Sequence, residues 1–307
     1  MNRIYNDILD KWLKESGRKP LILRGACQVG KTWLIRSLAQ RNNRELVEIN
    51  FERDIRARSW FASNDPKTIL SEISLALNRP LIPESMLLFL DEIQAAGEVI
   101  AKLRWFTEEM PGLAVAAAGS LLEFTLGDHS FSMPVGRVSF LHIEPMGFPE
   151  FLAAHGQTVL HERLGAWSPG DDFSVTLHEQ AQTWFHRYMM VGGMPAIVAQ
   201  DAGGATPQKL RGLQSDLVAT YRADFAKYRG TIAPDTLDAT LLAVSRSLGR
   251  KFVYARVSDD IRQHHAGAAG PLPAVQPALV HGVDAGGVRW MMRGRDRSRV
   301  SIVFRQL

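Results

Sequence analysis

Only one cysteine, Cys27, occurs in 307 residues, so no internal disulfide framework can form and the fold must rest on its core. No run of eighteen or more apolar residues is present, which excludes a membrane-spanning helix. The opening stretch MNRIYNDILDKWLKESGRKP mixes acids with its apolar positions and lacks the continuous apolar centre of a secretory signal. These absences together point to a cytoplasmic chain with no membrane partner. Net charge is also small. The formal charge is +4 and the sequence pI is near 9.3, yet residues 262–307 carry seven arginines against two aspartates, so the other residues sum to −1. A basic tail on a neutral body does not make a nucleic-acid groove. No Ser-His-Asp or Cys-His arrangement and no internal repeat can be recognised. His264-His265 has no companion at metal-ligand spacing.

What is present is an alternation of strand and helix patterns. Ile4, Ile8, Leu9, Trp12 and Leu13 share one helical face. KPLILRG reads as a short buried strand, and Leu34, Ile35, Leu38 and Ala39 stripe the helix after it. ELVEINFE is a second strand. Asp65-Pro66 has the form of an N-cap followed by proline in the first turn, opening a helix over KTILSEISLAL. SMLLFLDE is a continuous apolar run ending in two acids, as in a central parallel strand. Val99, Ile100, Leu103 and Phe106 mark another helix, and LAVAAAGS another buried strand. This alternation predicts an α/β fold, a parallel sheet with helices on both faces. After residue 145 the pattern turns mostly helical: PMGFPEFLAAH as turn and short helix, Leu213, Leu217, Tyr221 and Phe225 on a long helix, and 234–248 on another. Gly192–Pro195 (GGMP) reads as a turn, with a hinge as the alternative. From residue 262 the chain has no lysine and no sustained period, and reads as irregular.

Gly25-Ala26-Cys27-Gln28-Val29-Gly30-Lys31-Thr32 fits the P-loop pattern G-x-x-x-x-G-K-[ST] between a strand and a helix. Gly25 and Gly30 let the backbone approach phosphate oxygens without a Cβ. The amides of Ala26, Cys27, Gln28 and Val29, with the helix start, offer donors and partial positive charge to an anion. Lys31 adds a point charge for the terminal phosphates of ATP. Thr32 offers a hydroxyl to Mg²⁺, which keeps several waters and takes few protein ligands. The alternative is a glycine-rich turn with an exposed lysine. Asp91, after five apolar residues in a row, is placed to hold that metal through water at the end of a neighbouring strand. Glu92 follows, placed to orient an attacking water. An acid pair of this kind separates ATP hydrolysis from most small-molecule kinases. Ser120, after AVAAAG, is either a sensor of the terminal phosphate or a turn serine. Arg137, in PVGRVSF, is either an arginine finger or sensor or a surface arginine.

The segments RGACQVGKTWLIRSLA, LLFLDEIQ, AGSLLEF, PVGRVSFLHIEPMGFPEFL, VGGMPAIV, YRADFAKY and LGRKFVYARVS occur in that order. With them the chain resembles a prokaryotic family of AAA-type P-loop ATPases that carry a C-terminal domain of unknown function. The resemblance implies phosphate and Mg²⁺ binding by Lys31 and Thr32, a second acidic motif at Asp91 and Glu92, and sensor or finger roles for Ser120 and Arg137. It also implies the start of a winged-helix module after residue 205. Such proteins continue into a restriction-endonuclease-like domain that this sequence does not show, so a truncated or out-of-frame end is expected after residue 262. The expected division is 1–145 as P-loop ATPase domain, 146–204 as helical lid or linker, 205–261 as partial winged helix and 262–307 as irregular tail. The expected activity is Mg²⁺-dependent ATP hydrolysis coupled to domain movement, in a chain that is a candidate homo-oligomer. The alternatives are a nucleotide-dependent switch with a DNA or protein client, and a remnant with neither activity.

Overall fold

The computed structural model describes residues 2–119, 136–168, 171–224 and 240–245, and the backbone of 251–252, 290–291 and 300–302. Two compact units divide the chain, with the boundary between Glu144 and Pro145.

The first unit is built on a parallel sheet of five strands: β1 (Leu21–Arg24), β2 (Glu45–Asn50), β3 (Met86–Asp91), β4 (Ala114–Ala118) and β5 (Ser139–His142). Their spatial order is β2-β3-β4-β1-β5. Every residue of β3 and β4 is buried, which is why these strands read as unbroken apolar runs rather than alternating ones. The helices are α1 (Tyr5–Lys14), α2 (Lys31–Arg41), α3 (Ala57–Trp60), α4 (Pro66–Leu77) and α5 (Gly97–Glu109). Val99, Ile100, Leu103 and Phe106 of α5 join Ile69 and Ile73 of α4 and the β3 side chains Leu88 and Leu90 in one core cluster. Each such side chain contributes about 1.5–3 kcal/mol by leaving water. The Asp65 carboxylate caps α4 by accepting from the amides of Lys67 and Thr68, as its sequence predicts. On α1 the buried face is Tyr5, Leu9, Trp12 and Leu13, while Ile4 and Ile8 are exposed. The expected stripe is thus rotated. Trp12 fixes the phase, its indole N–H donating to the Lys19 carbonyl at 2.9 Å.

In-register pairing aligns the carboxyl ends of the strands along one edge. Asn50 lies opposite Asp91, Leu90 opposite Ala117, Leu23 opposite Ala118 and Arg24 opposite His142. Crevices outside that edge are where open parallel sheets bind ligands.

The second unit contains α6 (Phe148–Ala154), α7 (Thr158–Ala166), α8 (Val175–Val191), α9 (Pro195–Ala202) and α10 (Pro207–Asp224). Its polar anchor is Asp201, 3% exposed. Its carboxylate accepts from Arg187 at 2.9 and 3.1 Å and lies 2.8 Å from the His155 Nε2. His155 packs between Phe151 and Trp184. Gly192, with φ 78°, ends α8 and Pro195 starts α9, so the GGMP segment links the two helices. Residues 240–245 are helical. The rest of the helix expected over 234–248, like Phe225 and His264-His265, lies outside the described residues. So does most of the winged-helix module expected to start after residue 205. The tail expected to be irregular contributes two short strands, Trp290–Met291 and Val300–Ile302, the latter antiparallel to Lys251–Phe252. Strands of two or three residues fall below the length at which a period of two can be recognised.

Candidate functional site

The loop from Gly25 to Gly30 joins β1 to α2 at the aligned edge. Its turns need left-handed backbone: φ is 132° at Gly25, 65° at Gln28 and 93° at Gly30. Gly25 is required by the packing of the protein itself. A Cβ there would stand 2.1 Å from the Ile143 carbonyl oxygen, and Ile143 donates its N–H to the Arg24 carbonyl at 2.8 Å. Sequence reasoning gave this glycine to the phosphate alone.

Lys31 is the first residue of α2 and only 9% exposed. Its Nζ donates to the carbonyls of Gly25 and Ala26, each at 2.8 Å, which pins the ammonium across the mouth of the loop. Burial lowers its pKa, while Cys27, Glu92 and Asp91 draw it back up. Asp91 ends β3 and is 7% exposed. The Thr32 hydroxyl lies 3.3 and 3.5 Å from its two carboxylate oxygens. The Asn50 side-chain amide donates to Asp91 at 3.3 Å, and the Glu92 amide at 3.2 Å. Burial raises the Asp91 pKa and the charge of Glu92 adds to this; the Glu92 amide and the Thr32 hydroxyl oppose it.

Glu92 has left-handed backbone, φ 51° and ψ 45°, a conformation costing about 1–2 kcal/mol in a residue with a Cβ. It turns the chain from β3 into the short 3₁₀ segment Ile93–Ala96. The Glu92 carboxylate accepts from the Gln94 side chain at 2.6 Å. Backbone strain of this kind gathers where a side chain must be aimed.

Three placements bear on the sequence reading of the site. β3 is not the neighbour of β1, because β4 lies between them; Thr32 reaches Asp91 across the end of β4. Ser120, expected just beyond β4, lies outside the described residues. Arg137 is not brought to the loop. It precedes Ser139, which pairs with Leu21, whereas the loop begins after Arg24. At about 3.3 Å per strand residue this separates their backbones by roughly 13 Å or more. The Arg137 guanidinium instead pairs with Glu108 at 3.0 Å, and its backbone carbonyl accepts from the Thr107 hydroxyl at 2.8 Å, at the opposite edge of the sheet. Asn50 is the residue that the sequence reading passed over. Its signal is positional: a polar side chain ending an edge strand in register with Asp91.

The donor set suits a hard, octahedral cation. Adjacent oxygen ligands around Mg²⁺ stand about 3 Å apart, close to the Thr32–Asp91 separation. Among the described residues no group of three or more His, Cys, Asp or Glu side chains gathers as a metal site. Mg²⁺ held through one carboxylate, waters and phosphates does not need one.

The first unit therefore has the fold of a P-loop NTPase, with the loop and the acid on the expected edge. Residues 17–152 match the family described as AAA domain. Residues 182–269 match a domain of unknown function (DUF8612), so the second half keeps only the broad part of the expected resemblance. No curated protein matches the chain. Among solved structures it is similar to the Walker-type ATPase PABY2304 of Pyrococcus abyssi, at 15% identity and a TM-score of 0.55, over 97% of this chain and 92% of that one. At that identity the likeness shows the fold alone. The ORC1 protein of Aeropyrum pernix in complex with DNA matches at 13% identity and 0.34, over 97% and 86% of the two chains. Cdc6p from Pyrobaculum aerophilum matches at 15% and 0.31, over 97% and 87%. Scores this low carry nothing to the present chain. No described helix is long and apolar enough to cross a membrane.

Proposed function

We propose that the chain binds ATP with Mg²⁺ and hydrolyses it, and that turnover is coupled to movement of the segment that follows the P-loop unit. The observation that carries this reading is the meeting of Thr32 and Asp91, 3.3 Å apart, beside the Lys31 ammonium. Burial works against the charges of both Lys31 and Asp91. A polyphosphate beside the one and a divalent cation beside the other would each supply the missing counter-charge.

In this reading the amides of Ala26, Cys27, Gln28, Val29 and Gly30 orient the phosphates, and Lys31 neutralises charge on the terminal ones. Thr32 and Asp91 would hold Mg²⁺, which when bound polarises the phosphoryl oxygens. Asn50 keeps the Asp91 carboxylate turned toward Thr32. Glu92 orients a water for attack, steadied by the Gln94 amide. Ser120 stays a sensor candidate. Arg137, distant from the loop of its own chain, serves as a finger only for a neighbouring copy, so hydrolysis would then require a homo-oligomer.

The test is a panel of full-length wild type, Lys31→Ala, Asp91→Asn and Glu92→Gln assayed for ATP binding and phosphate release. Hydrolysis requires lost binding in Lys31→Ala, and retained binding with lost turnover in Glu92→Gln. A second reading is a nucleotide-loaded switch for a DNA or protein client, motivated by the helical second half. It requires binding without turnover in wild type, and for DNA an affinity that falls steeply with salt.

A further inference from the structure

Arg3 is 3% exposed, unusual for a side chain that cannot shed its charge. A guanidinium taken out of water must find acceptors. It donates through one terminal nitrogen to the Val29 carbonyl at 2.8 Å and through the other to the Glu144 carbonyl at 2.6 Å. These acceptors lie 26 and 141 residues along the chain. The planar fork of arginine, with its fixed donor spacing, bridges them as a single rigid piece.

Val29 sits between Gln28 and Gly30, both with left-handed backbone, where no regular secondary structure holds the loop. The peptide that joins Val29 to Gly30 is planar and trans, so its C=O and N–H point in opposite directions. Holding the Val29 oxygen therefore aims the Gly30 N–H away from the buried guanidinium. The other end of the bridge is equally fixed. The Glu144 N–H donates to the Tyr5 hydroxyl at 2.9 Å, and the Tyr5 ring lies 5.3 Å from the Arg3 guanidinium. Ile143, next in the chain, fills the space beside Gly25. Residues 143–144 thus touch both ends of the loop: directly at Gly25, and through Arg3 at Val29. Glu144 is also the last residue of the first unit.

We infer that Arg3 is a positioning residue: it fixes the Val29–Gly30 peptide of the phosphate loop against the chain at Ile143–Glu144, so that nucleotide affinity and the conformation of this junction are linked. The inference rests on the nucleotide-binding reading above. Arg3 touches no reacting atom; it keeps the loop in the shape that binds. Without it the loop samples other shapes, and apparent affinity falls in proportion to the competent fraction. Linkage is reciprocal, so ATP in the loop must also tighten the junction.

The experiment titrates ATP with Mg²⁺ into full-length wild type, Arg3→Met and Arg3→Lys, and follows amide hydrogen exchange over residues 141–146 with and without ATP. If the competent fraction falls to about a tenth, Kd rises about tenfold in Arg3→Met. Lysine lacks the fork but keeps the charge, and about a threefold rise is expected. Turnover at saturation stays within about twofold of wild type, since no transition-state contact is lost. ATP slows exchange of the Ile143 and Glu144 amides in wild type and not in Arg3→Met. Unchanged Kd in a folded Arg3→Met, or a loss confined to turnover, would overturn the assignment. Should Arg3→Met not fold, wild-type exchange at 143–144 that ignores ATP, or an unaltered Kd in Arg3→Lys, overturns it as well. Wild type that binds no ATP would sink the nucleotide reading and this inference with it; binding by wild type with equal binding by the variants would sink the inference alone.

Discussion

Gly25→Ala isolates the part of the loop that protein packing, rather than ligand, dictates. The new Cβ would stand 2.1 Å from the Ile143 oxygen and 3.1 Å from its carbonyl carbon, about 1 Å inside the closest approach that carbon and oxygen tolerate. Relief requires either the loop or the end of β5 to retreat, and the Ile143–Arg24 hydrogen bond at 2.8 Å resists the second. Overpacking of this kind costs about 1–3 kcal/mol. The positive φ of 132° adds about 1–2 kcal/mol for a residue with a Cβ. The expected loss is about 2–5 kcal/mol, which for a unit of roughly 150 residues lowers the melting temperature by about 4–20 °C. Calorimetry of full-length wild type and Gly25→Ala without nucleotide measures this. A variant that melts with wild type but fails to bind ATP would refute the reasoning, since the glycine would then serve the phosphate alone.

Asp91→Asn removes a charge that burial disfavours, so the variant is expected to gain about 0.5–2 kcal/mol of stability while losing Mg²⁺-dependent turnover; thermal melts paired with phosphate release check both. The sign follows from linkage: a carboxyl whose folded pKa is raised destabilises at neutral pH, and that cost fades as pH falls through the folded pKa. Asp201 has the opposite sign. Burial alone would raise its pKa, but the hydrogen bonds from Arg187 and His155 lower it below the usual value. Its stabilisation is therefore present above the ordinary carboxylate range of about 4 and is lost as pH falls through the lower, folded pKa. Melting of Asp201→Asn against pH is expected to show a lower plateau and a shallower acid decline than wild type. Alkylation of the half-buried Cys27 is expected to block ATP binding by filling the loop; stoichiometric labelling with unchanged affinity would dismiss this.

Legibility in the sequence followed how local each constraint was. The loop between β1 and α2 could be read because glycines, lysine and threonine recur there at a fixed spacing between a strand and a helix. The Asp65 cap and the buried strand ending at Asp91 depend on a few adjacent residues and were equally readable. The strand order was not, since no run of apolar residues says that β4 enters between β1 and β3. The distance of Arg137 from the loop was hidden for the same reason: only strand direction shows at which end of β5 it lies. Ile4 and Ile8 are apolar on a helix whose phase is set by Trp12, so pattern alone placed Leu9, Trp12 and Leu13 inside correctly but rotated the stripe toward two exposed residues. Arg3 had no sequence signal to follow, because its partners are brought near by folding and not by spacing; Asn50 had only its place at the end of β2, which points to Asp91 once the register is known.

The most direct measurement is equilibrium binding of ATP to full-length wild type and Lys31→Ala, each with Mg²⁺ and with chelator. Saturable binding by wild type is expected, stronger with Mg²⁺ and lost in Lys31→Ala. Equal affinity in the two proteins, or none in either, would contradict the claim that this loop grips a triphosphate.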